Sequence, residues 1–153
     1  TAAEALNRFE GVRRRMELRG EAGGIKVYDD FAHHPTAMRT TVEGLRRRIA
    51  PHERLLAIFE PRSNTMKLGT MKAQLPWALE EADLSFCHQG GLSWDARAAL
   101  APLGDKAMVA ADVDTLVRQV LDAARPGDHL LCMSNGGFGG IHDKLLQSLA
   151  ART

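Results

Sequence analysis

The chain has 153 residues, a length typical of one domain with a real hydrophobic core. Its 20 Lys and Arg residues nearly balance 19 Asp and Glu residues, so no net field favours nucleic acid or an anionic membrane as a partner. No apolar run is long enough to span a bilayer, and no signal-peptide pattern opens the chain, so we expect a cytoplasmic protein. Because the sequence starts at Thr1, we expect residues 1–153 to be one domain of a larger enzyme.

The first part of the chain predicts a helix followed by a β-hairpin. Residues 2–9 have the pattern of a short helix. Residues 15–21 and 25–30 alternate loosely between polar and apolar side chains, and Gly23-Gly24 between them suits a tight turn.

The rest of the chain alternates compact apolar strands with amphipathic helices. The predicted strands are residues 55–59, 84–88, 107–110 and 129–133. The predicted helices are residues 36–49, 70–81, 112–124 and 141–149, with a shorter helix that ends at residue 100 and is capped by Ser93 or Asp95. This order predicts a three-layer, Rossmann-like α/β domain. Its sheet of about six strands is mostly parallel, with helices on both faces and one antiparallel edge strand from the hairpin.

In such a fold, ligands bind at the carboxyl ends of the strands, so the loops there are the places to look for chemistry. The first loop contains Asp29-Asp-Phe-Ala-His-His-Pro35. Three interpretations remain open: a solvated loop in which Asp30 caps a turn, a nucleotide or substrate contact, and a metal site. The metal site is the least favoured, because the adjacent His33 and His34 point to opposite sides of an extended segment.

The loop after the next strand is rich in hydrogen-bond donors. Its donors are Arg62, Ser63, Asn64 and Lys67. Arg supplies a forked donor and Lys a point charge, and both suit carboxylates or phosphates. A solvated loop is the alternative.

A glycine-rich loop follows the last predicted strand and reads Ser134-Asn-Gly-Gly-Phe-Gly-Gly140. Glycines let backbone N–H groups approach a ligand, and a predicted helix begins directly afterwards. A tight turn that merely requires glycine is the alternative. The pattern is not GxGxxG, so we do not expect NAD binding.

Several features are expected to be structural only. Cys87 and Cys132 lie inside apolar strands and are expected to be buried free thiols. Trp77 and Trp94 are expected to be packing residues, and the run 46–48 of three arginines is expected to be a solvated helix face. The sequence contains no GxxxxGK[ST] motif for a triphosphate and no GxSxG motif for a nucleophile.

Four segments, taken in order, resemble the carboxy-terminal domain of the Mur ligases, which build and recycle bacterial peptidoglycan precursors. They are Gly11-Val-Arg-Arg-Arg15, Asp29-Asp-Phe-Ala-His-His-Pro35, Glu60-Pro-Arg-Ser-Asn-Thr65 and Ser134-Asn-Gly-Gly-Phe-Gly-Gly140. Each segment is weak evidence alone. Their order and their spread over nearly the whole chain make the resemblance specific.

The resemblance implies a reaction in which ATP, with Mg²⁺, phosphorylates a muramyl carboxylate and an acceptor amine attacks the acyl phosphate. Arg15 would reach the ATP phosphates, and Asp30 would contact the nucleotide ribose with His33 beside it. The P-loop, the magnesium ligands and the UDP-sugar site would belong to two upstream domains. This domain alone would then be inactive and would bind no cofactor tightly.

Within the family, the segments that begin at Glu60 and Ser134 favour members that join UDP-N-acetylmuramate to the tripeptide L-Ala-γ-D-Glu-meso-diaminopimelate. The alanine-adding ligases carry a His-Arg-Tyr type loop where this chain has residues 62–64. The diaminopimelate-adding ligases carry Asp-Asn-Pro-Arg, of which only Pro-Arg remains here. An alanine-adding ligase and a non-enzymatic α/β binding module remain the alternatives. Because two of the loops converge on one edge of the predicted sheet, we expect them to bind the acceptor through Arg62, Ser63, Asn64, Lys67, Ser134, Asn135, Gly136 and Gly137.

Overall fold

A six-stranded sheet forms the centre of the fold. The computed structural model describes residues 16–32, 34–60, 74–89, 96–134 and 138–152. The strands are β1 (Glu17–Ala22), β2 (Ile25–Asp30), β3 (Leu55–Phe59), β4 (Leu84–His88), β5 (Ala107–Ala110) and β6 (His129–Met133). Their order across the sheet is β1-β2-β6-β3-β4-β5. The pair β1 and β2 is antiparallel and the other neighbours are parallel, which confirms the predicted mixed sheet with one antiparallel edge strand.

The hairpin between β1 and β2 turns on two glycines. Gly23 and Gly24 have φ angles of 59° and 78°, a left-handed conformation that side chains with a Cβ adopt at a cost. A Cβ on Gly24 would lie 3.3 Å from the Cβ of Pro126. The turn therefore requires glycine both for its backbone and for its packing.

The helices lie close to their predicted positions. They are α1 (Pro35–Arg48), α2 (Ala96–Ala99), α3 (Val113–Ala123) and α4 (Ile141–Arg152), and residues 74–78 are also helical. Asp112 caps α3, since its carboxylate accepts a 2.7 Å hydrogen bond from the Thr115 backbone N–H. Two short 3₁₀ segments, Ala101–Lys106 and Phe138–Gly140, were not predicted. The predicted helix over residues 2–9 and the caps Ser93 and Asp95 lie outside the described residues.

The sheet has a hydrophobic layer on each face. Alternate residues of each strand point to opposite faces, so Ala57 and Phe59 join one layer while Leu56 and Ile58 join the other. Helix α1, the helical residues 74–78 and α2 cover the first face. Helices α3 and α4 cover the second face. This arrangement confirms the predicted three-layer α/β architecture.

Some residues expected to be structural behave differently from the prediction. Cys87 and Cys132 are buried free thiols, as predicted, and burial raises the pKa of each. Trp77, however, is 40% exposed, and the Arg39 guanidinium lies 4.7 Å from its ring centroid. Trp77 therefore packs against an arginine side chain at the surface, and Trp94 lies outside the described residues.

Residues 46–48 on α1 were expected to form a solvated face, and this expectation is wrong for one of the three arginines. Arg46 donates hydrogen bonds to the backbone carbonyls of Glu53 and Glu81 and to the Asp83 carboxylate. It therefore joins α1 to the segments that lead into β3 and β4. Within the described residues, no helix is long and apolar enough to cross a membrane.

Candidate functional site

The carboxyl ends of three neighbouring strands meet at Ser134. This residue follows β6, and its backbone N–H donates to the Asp30 carbonyl oxygen at the end of β2, at 3.1 Å. Its hydroxyl donates a 2.7 Å hydrogen bond to Oε1 of Glu60, which follows β3. The Glu60 N–H in turn donates to the Met133 carbonyl oxygen at 3.0 Å. Ser134 is 1% exposed, so it fixes the Glu60 carboxylate from inside the fold.

His88, at the end of β4, adds an imidazole to this group. Its Nδ1 lies 3.9 Å from Oε2 of Glu60, which is too far for a hydrogen bond. Within the described part of the chain, this buried Nδ1 has no hydrogen-bond partner. The ring meets Phe138 edge-on, with centroids 6.0 Å apart. Glu60, Ser134 and His88 therefore form one polar cluster, which we call the strand-end cluster.

The Asp30 carboxylate is buried and points into the fold. It accepts hydrogen bonds from the backbone N–H groups of Met16 and Ala32, both at 2.8 Å, and from the Thr41 hydroxyl at 3.3 Å. The bond to Ala32, two residues further on, is an Asx turn. Asp30 thus shapes the loop after β2, as the turn-capping interpretation expects, whereas its predicted contact with a ribose stays a prediction.

Asp29 faces the opposite side of the sheet and anchors the start of α4. His142 Nε2–H donates a 3.0 Å hydrogen bond to Oδ1 of Asp29, and both residues are buried. Arg19 on β1 lies 3.4 Å from the other carboxylate oxygen. His142 comes two residues after the glycine-rich segment, so its hydrogen bond to Asp29 joins that segment's far end to β2. The alternation of side chains along β2 separates the roles of Asp29 and Asp30.

The structure brings two of the predicted site residues together and leaves the others untested. Asp30 and Ser134 are in direct contact through the backbone. The other candidates lie outside the described residues: Arg15, His33, Arg62, Ser63, Asn64, Lys67, Asn135, Gly136 and Gly137.

Sequence reasoning missed His88 and gave Glu60 no role of its own. Both residues occupy the ends of adjacent parallel strands, with Phe59 opposite Cys87 in the register. That position is the signal that could have found them, since parallel strand ends converge on one edge of a sheet.

Comparison with known proteins gives a consistent result. The sequence profile described as "Mur ligase, glutamate ligase domain" matches residues 14–136. The UDP-N-acetylmuramate–L-alanyl-γ-D-glutamyl-meso-2,6-diaminoheptandioate ligase of Escherichia coli K12 is 50% identical over 152 residues, which cover 99% of this chain and 33% of the relative. A UDP-N-acetylmuramate–L-alanine ligase of Mycobacterium sp. JLS is 32% identical over 161 residues, which cover 99% of this chain and 33% of the relative. The chain thus spans about a third of the length of these relatives.

A solved structure supports the same relationship. The crystal structure of a murein peptide ligase from Psychrobacter arcticus 273-4 superposes with a TM-score of 0.81 at 40% identity, over 90% of this chain and 30% of that one. Sequence and fold therefore agree over nearly the whole chain. The chain belongs to the Mur ligase family and carries its glutamate ligase domain.

Proposed function

We propose that residues 1–153 are the carboxy-terminal, acceptor-binding domain of a ligase that forms an amide bond between UDP-N-acetylmuramate and L-Ala-γ-D-Glu-meso-diaminopimelate. One observation carries this proposal: the chain is 50% identical to the E. coli ligase of that name along almost its entire length. Identity to the L-alanine ligase is 32%, so the tripeptide acceptor is favoured over free alanine. The buried free cysteines suit the reducing cytoplasm, where we place the enzyme.

The role of this domain is to hold the acceptor amine against the activated carboxylate. ATP, bound with Mg²⁺ mainly by upstream domains, supplies the phosphoryl group that activates that carboxylate. Orientation of this kind lowers a barrier by about 7–11 kcal/mol in well-oriented intramolecular reactions. Arg15 would offset negative charge on the transferred phosphoryl group. Arg62 and Lys67 would bind the carboxylates of the acceptor.

The acceptor site would continue from that loop into the strand-end cluster. Ser134 is buried at the end of β6. Asn135, Gly136 and Gly137 come directly after it and would offer amide donors. Ser63 and Asn64 would do the same from the loop after β3.

The substrate assignment is tested with the full-length enzyme that contains this domain. Ligation is measured with the tripeptide and, separately, with L-alanine, at saturating ATP and UDP-N-acetylmuramate. We expect efficient turnover of the tripeptide and little of L-alanine, because a site built for a longer polar acceptor leaves its groups unpaired with a short one. Preference for L-alanine would instead identify the alanine-adding activity.

The acceptor loop is tested by Arg62→Ala in the same enzyme. We expect a higher KM for the tripeptide, since a bidentate donor to a carboxylate is lost. Arg47→Ala, on the exposed side of α1, is the matched control for loss of one positive charge. An unchanged tripeptide KM in Arg62→Ala would remove this loop from the acceptor site.

The nucleotide assignment of Asp30 and His33 needs a test that separates binding from folding. Asp30→Asn is compared with the wild type for ATP KM, tripeptide KM and thermal stability. We expect the ATP KM to rise while the tripeptide KM stays near the wild-type value. A loss of stability with both KM values unchanged would mean that Asp30 acts only through its bonds to Met16, Ala32 and Thr41.

A further inference from the structure

The strand-end cluster lies where the connections after two neighbouring strands pass to helices on opposite faces of the sheet. The chain leaves β3 towards the helical residues 74–78 on the first face, whereas it leaves β6 towards α4 on the second face. Strands β3 and β6 are adjacent in the sheet. Neighbouring parallel strands whose connections leave to opposite faces form a crevice at their carboxyl ends, and ligands bind in such crevices. Glu60 and Ser134 flank this crevice, and His88 lies on its β4 side.

Two polar atoms, Oε2 of Glu60 and Nδ1 of His88, face each other in this crevice. The Ser134 hydroxyl donates a hydrogen bond to Oε1 of Glu60, and the other oxygen, Oε2, lies 3.9 Å from His88 Nδ1. Within the described residues, His88 Nδ1 is buried without a hydrogen-bond partner, and the Glu60 side chain that carries Oε2 is only 17% exposed. A buried polar atom without a partner costs stability, so it indicates a place for a ligand or another compensating group.

The chemistry of the two atoms selects the ligand. A carboxylate oxygen only accepts hydrogen bonds, and an imidazole nitrogen without a proton also accepts. A primary ammonium group carries three donors and no acceptor, and its charge complements Glu60. One nitrogen can bridge acceptors 3.9 Å apart through two hydrogen bonds of about 2.8–3.0 Å. Asp112 lies close enough to His88 to interact with it electrostatically, which adds to the negative potential.

We propose that Glu60 and His88 bind a primary ammonium group of the acceptor peptide, and that Ser134 positions the Glu60 carboxylate for this contact. This inference rests on the proposed function, because the tripeptide supplies the ligand. The tripeptide has two such groups, the alanyl amine that reacts and the distal amine of diaminopimelate. Glu60 and His88 are therefore substrate-binding residues that select acceptors by charge.

The test measures steady-state kinetics of the full-length ligase and its Glu60→Gln variant. We expect kcat/KM for the tripeptide to fall about 10- to 100-fold, because a charge-assisted hydrogen bond is lost in a nearly isosteric change. The KM values for ATP and UDP-N-acetylmuramate should stay near those of the wild type. Glu80→Gln removes an exposed carboxylate from the helical region and is the matched control.

A second acceptor separates the two amines. This analogue carries 2-aminopimelate in the third position, so it keeps the distal carboxylate and lacks the distal amine. If Glu60→Gln still lowers kcat/KM for the analogue, the bound group is the alanyl amine. If the variant then matches the wild type, the bound group is the distal amine.

The possible failures are distinguishable. A wild-type enzyme that does not ligate the tripeptide would overturn the proposed function, and this inference with it. An active wild type with no loss of kcat/KM in Glu60→Gln would overturn this inference alone. If Glu60→Gln does not fold, as judged by circular dichroism, His88→Phe replaces it. That variant keeps a ring against Phe138 and loses Nδ1, so unchanged kcat/KM for the tripeptide would likewise reject the ammonium site.

Discussion

Two histidines at opposite ends of the parallel sheet differ in their hydrogen bonding. Near the amino ends, His129 uses both ring nitrogens: Nε2–H donates to Glu53 at 3.0 Å, and Nδ1 shares a 2.8 Å hydrogen bond with the Tyr28 hydroxyl. At the carboxyl ends, His88 Nδ1 is buried without a hydrogen-bond partner among the described residues. The first histidine closes a network that holds the scaffold together. The second has a buried ring nitrogen for which the described part of the fold provides no hydrogen-bond partner.

The difference extends to the carboxylates at the two ends. Asp128, just before β6, accepts hydrogen bonds from Arg54 Nε at 3.0 Å, Arg54 Nη2 at 2.7 Å and the Arg125 backbone N–H at 2.8 Å. The Glu60 carboxylate accepts one hydrogen bond within the described residues, from the Ser134 hydroxyl. Substitutions at the amino end should therefore affect mainly stability, and those in the strand-end cluster mainly function.

The largest expected effect on stability is that of Asp128→Ala. The substitution leaves Arg54 without its carboxylate and removes the acceptor for the Arg125 N–H. We expect the free energy of unfolding to fall by about 3 kcal/mol, since removal of one partner from a largely buried ion pair leaves the charge of the other uncompensated. Urea denaturation of the chain measures it. Asp114→Ala breaks an exposed pair with Lys144 and should change stability little, so equal losses would contradict this comparison.

A smaller loss is expected from His142→Ala. Asp29 would lose its 3.0 Å hydrogen bond with His142 and keep its 3.4 Å contact with Arg19, and both Asp29 and His142 are buried. We expect a loss of about 2 kcal/mol. Hydrogen exchange should rise first in α4, because His142 joins its beginning to β2. Faster exchange spread evenly over the sheet would show that this pair supports the whole fold.

Ser134→Ala should lower the free energy of unfolding by less than His142→Ala does, although Ser134 lies where three strand ends meet. The substitution removes one hydroxyl that donates to Glu60 and leaves the backbone bond to Asp30 in place. We expect a loss of about 1 kcal/mol in urea denaturation. The kcat/KM of the full-length enzyme for the tripeptide should also fall, and by more than this loss of stability alone would cause. The reason is that the Glu60 carboxylate can rotate once the hydroxyl is absent. A large stability loss with normal kinetics would assign Ser134 to the scaffold.

The strands and the main helices were predictable because their signals are local. The apolar runs at residues 55–59 and 129–133 coincide with β3 and β6, where all five side chains of each strand are buried. Pro35 marked the start of α1, and Asp112 caps α3 as its residue type favours. Paired glycines gave the hairpin, and alternation of strands and helices gave the layers.

The polar pairs were not predictable, because they join residues that are distant in the sequence. Glu53 and His129 are 76 positions apart, and Ser134 and Glu60 are 74 apart. Strand order decides which strand ends meet, and β6 enters the sheet between β2 and β3 only in the folded chain. The inward turn of Asp30 also depends on Thr41, one helix away. Composition of the loops therefore directed attention to the carboxyl ends of the strands, while the hydrogen bonds there required the structure.

The smallest expected effect is a pH dependence at the amino end of the sheet. A hydrogen bond from the Ala50 N–H, followed by the bond from His129, lowers the pKa of Glu53 below its ordinary value of 4.5. A carboxyl with a lowered pKa in the folded state stabilises the fold above pH 4.5, and this contribution is lost as the pH falls through the lowered pKa.

Glu53→Gln keeps an oxygen acceptor for both donors but does not titrate. The difference in urea midpoint between wild type and Glu53→Gln should be constant above pH 5 or so and should shrink below it. Asp105→Asn, at an exposed position, serves as the control. A difference that stays constant down to pH 3 would show that Glu53 acts through its shape alone, and the amino end would then be held by Arg54 and Asp128.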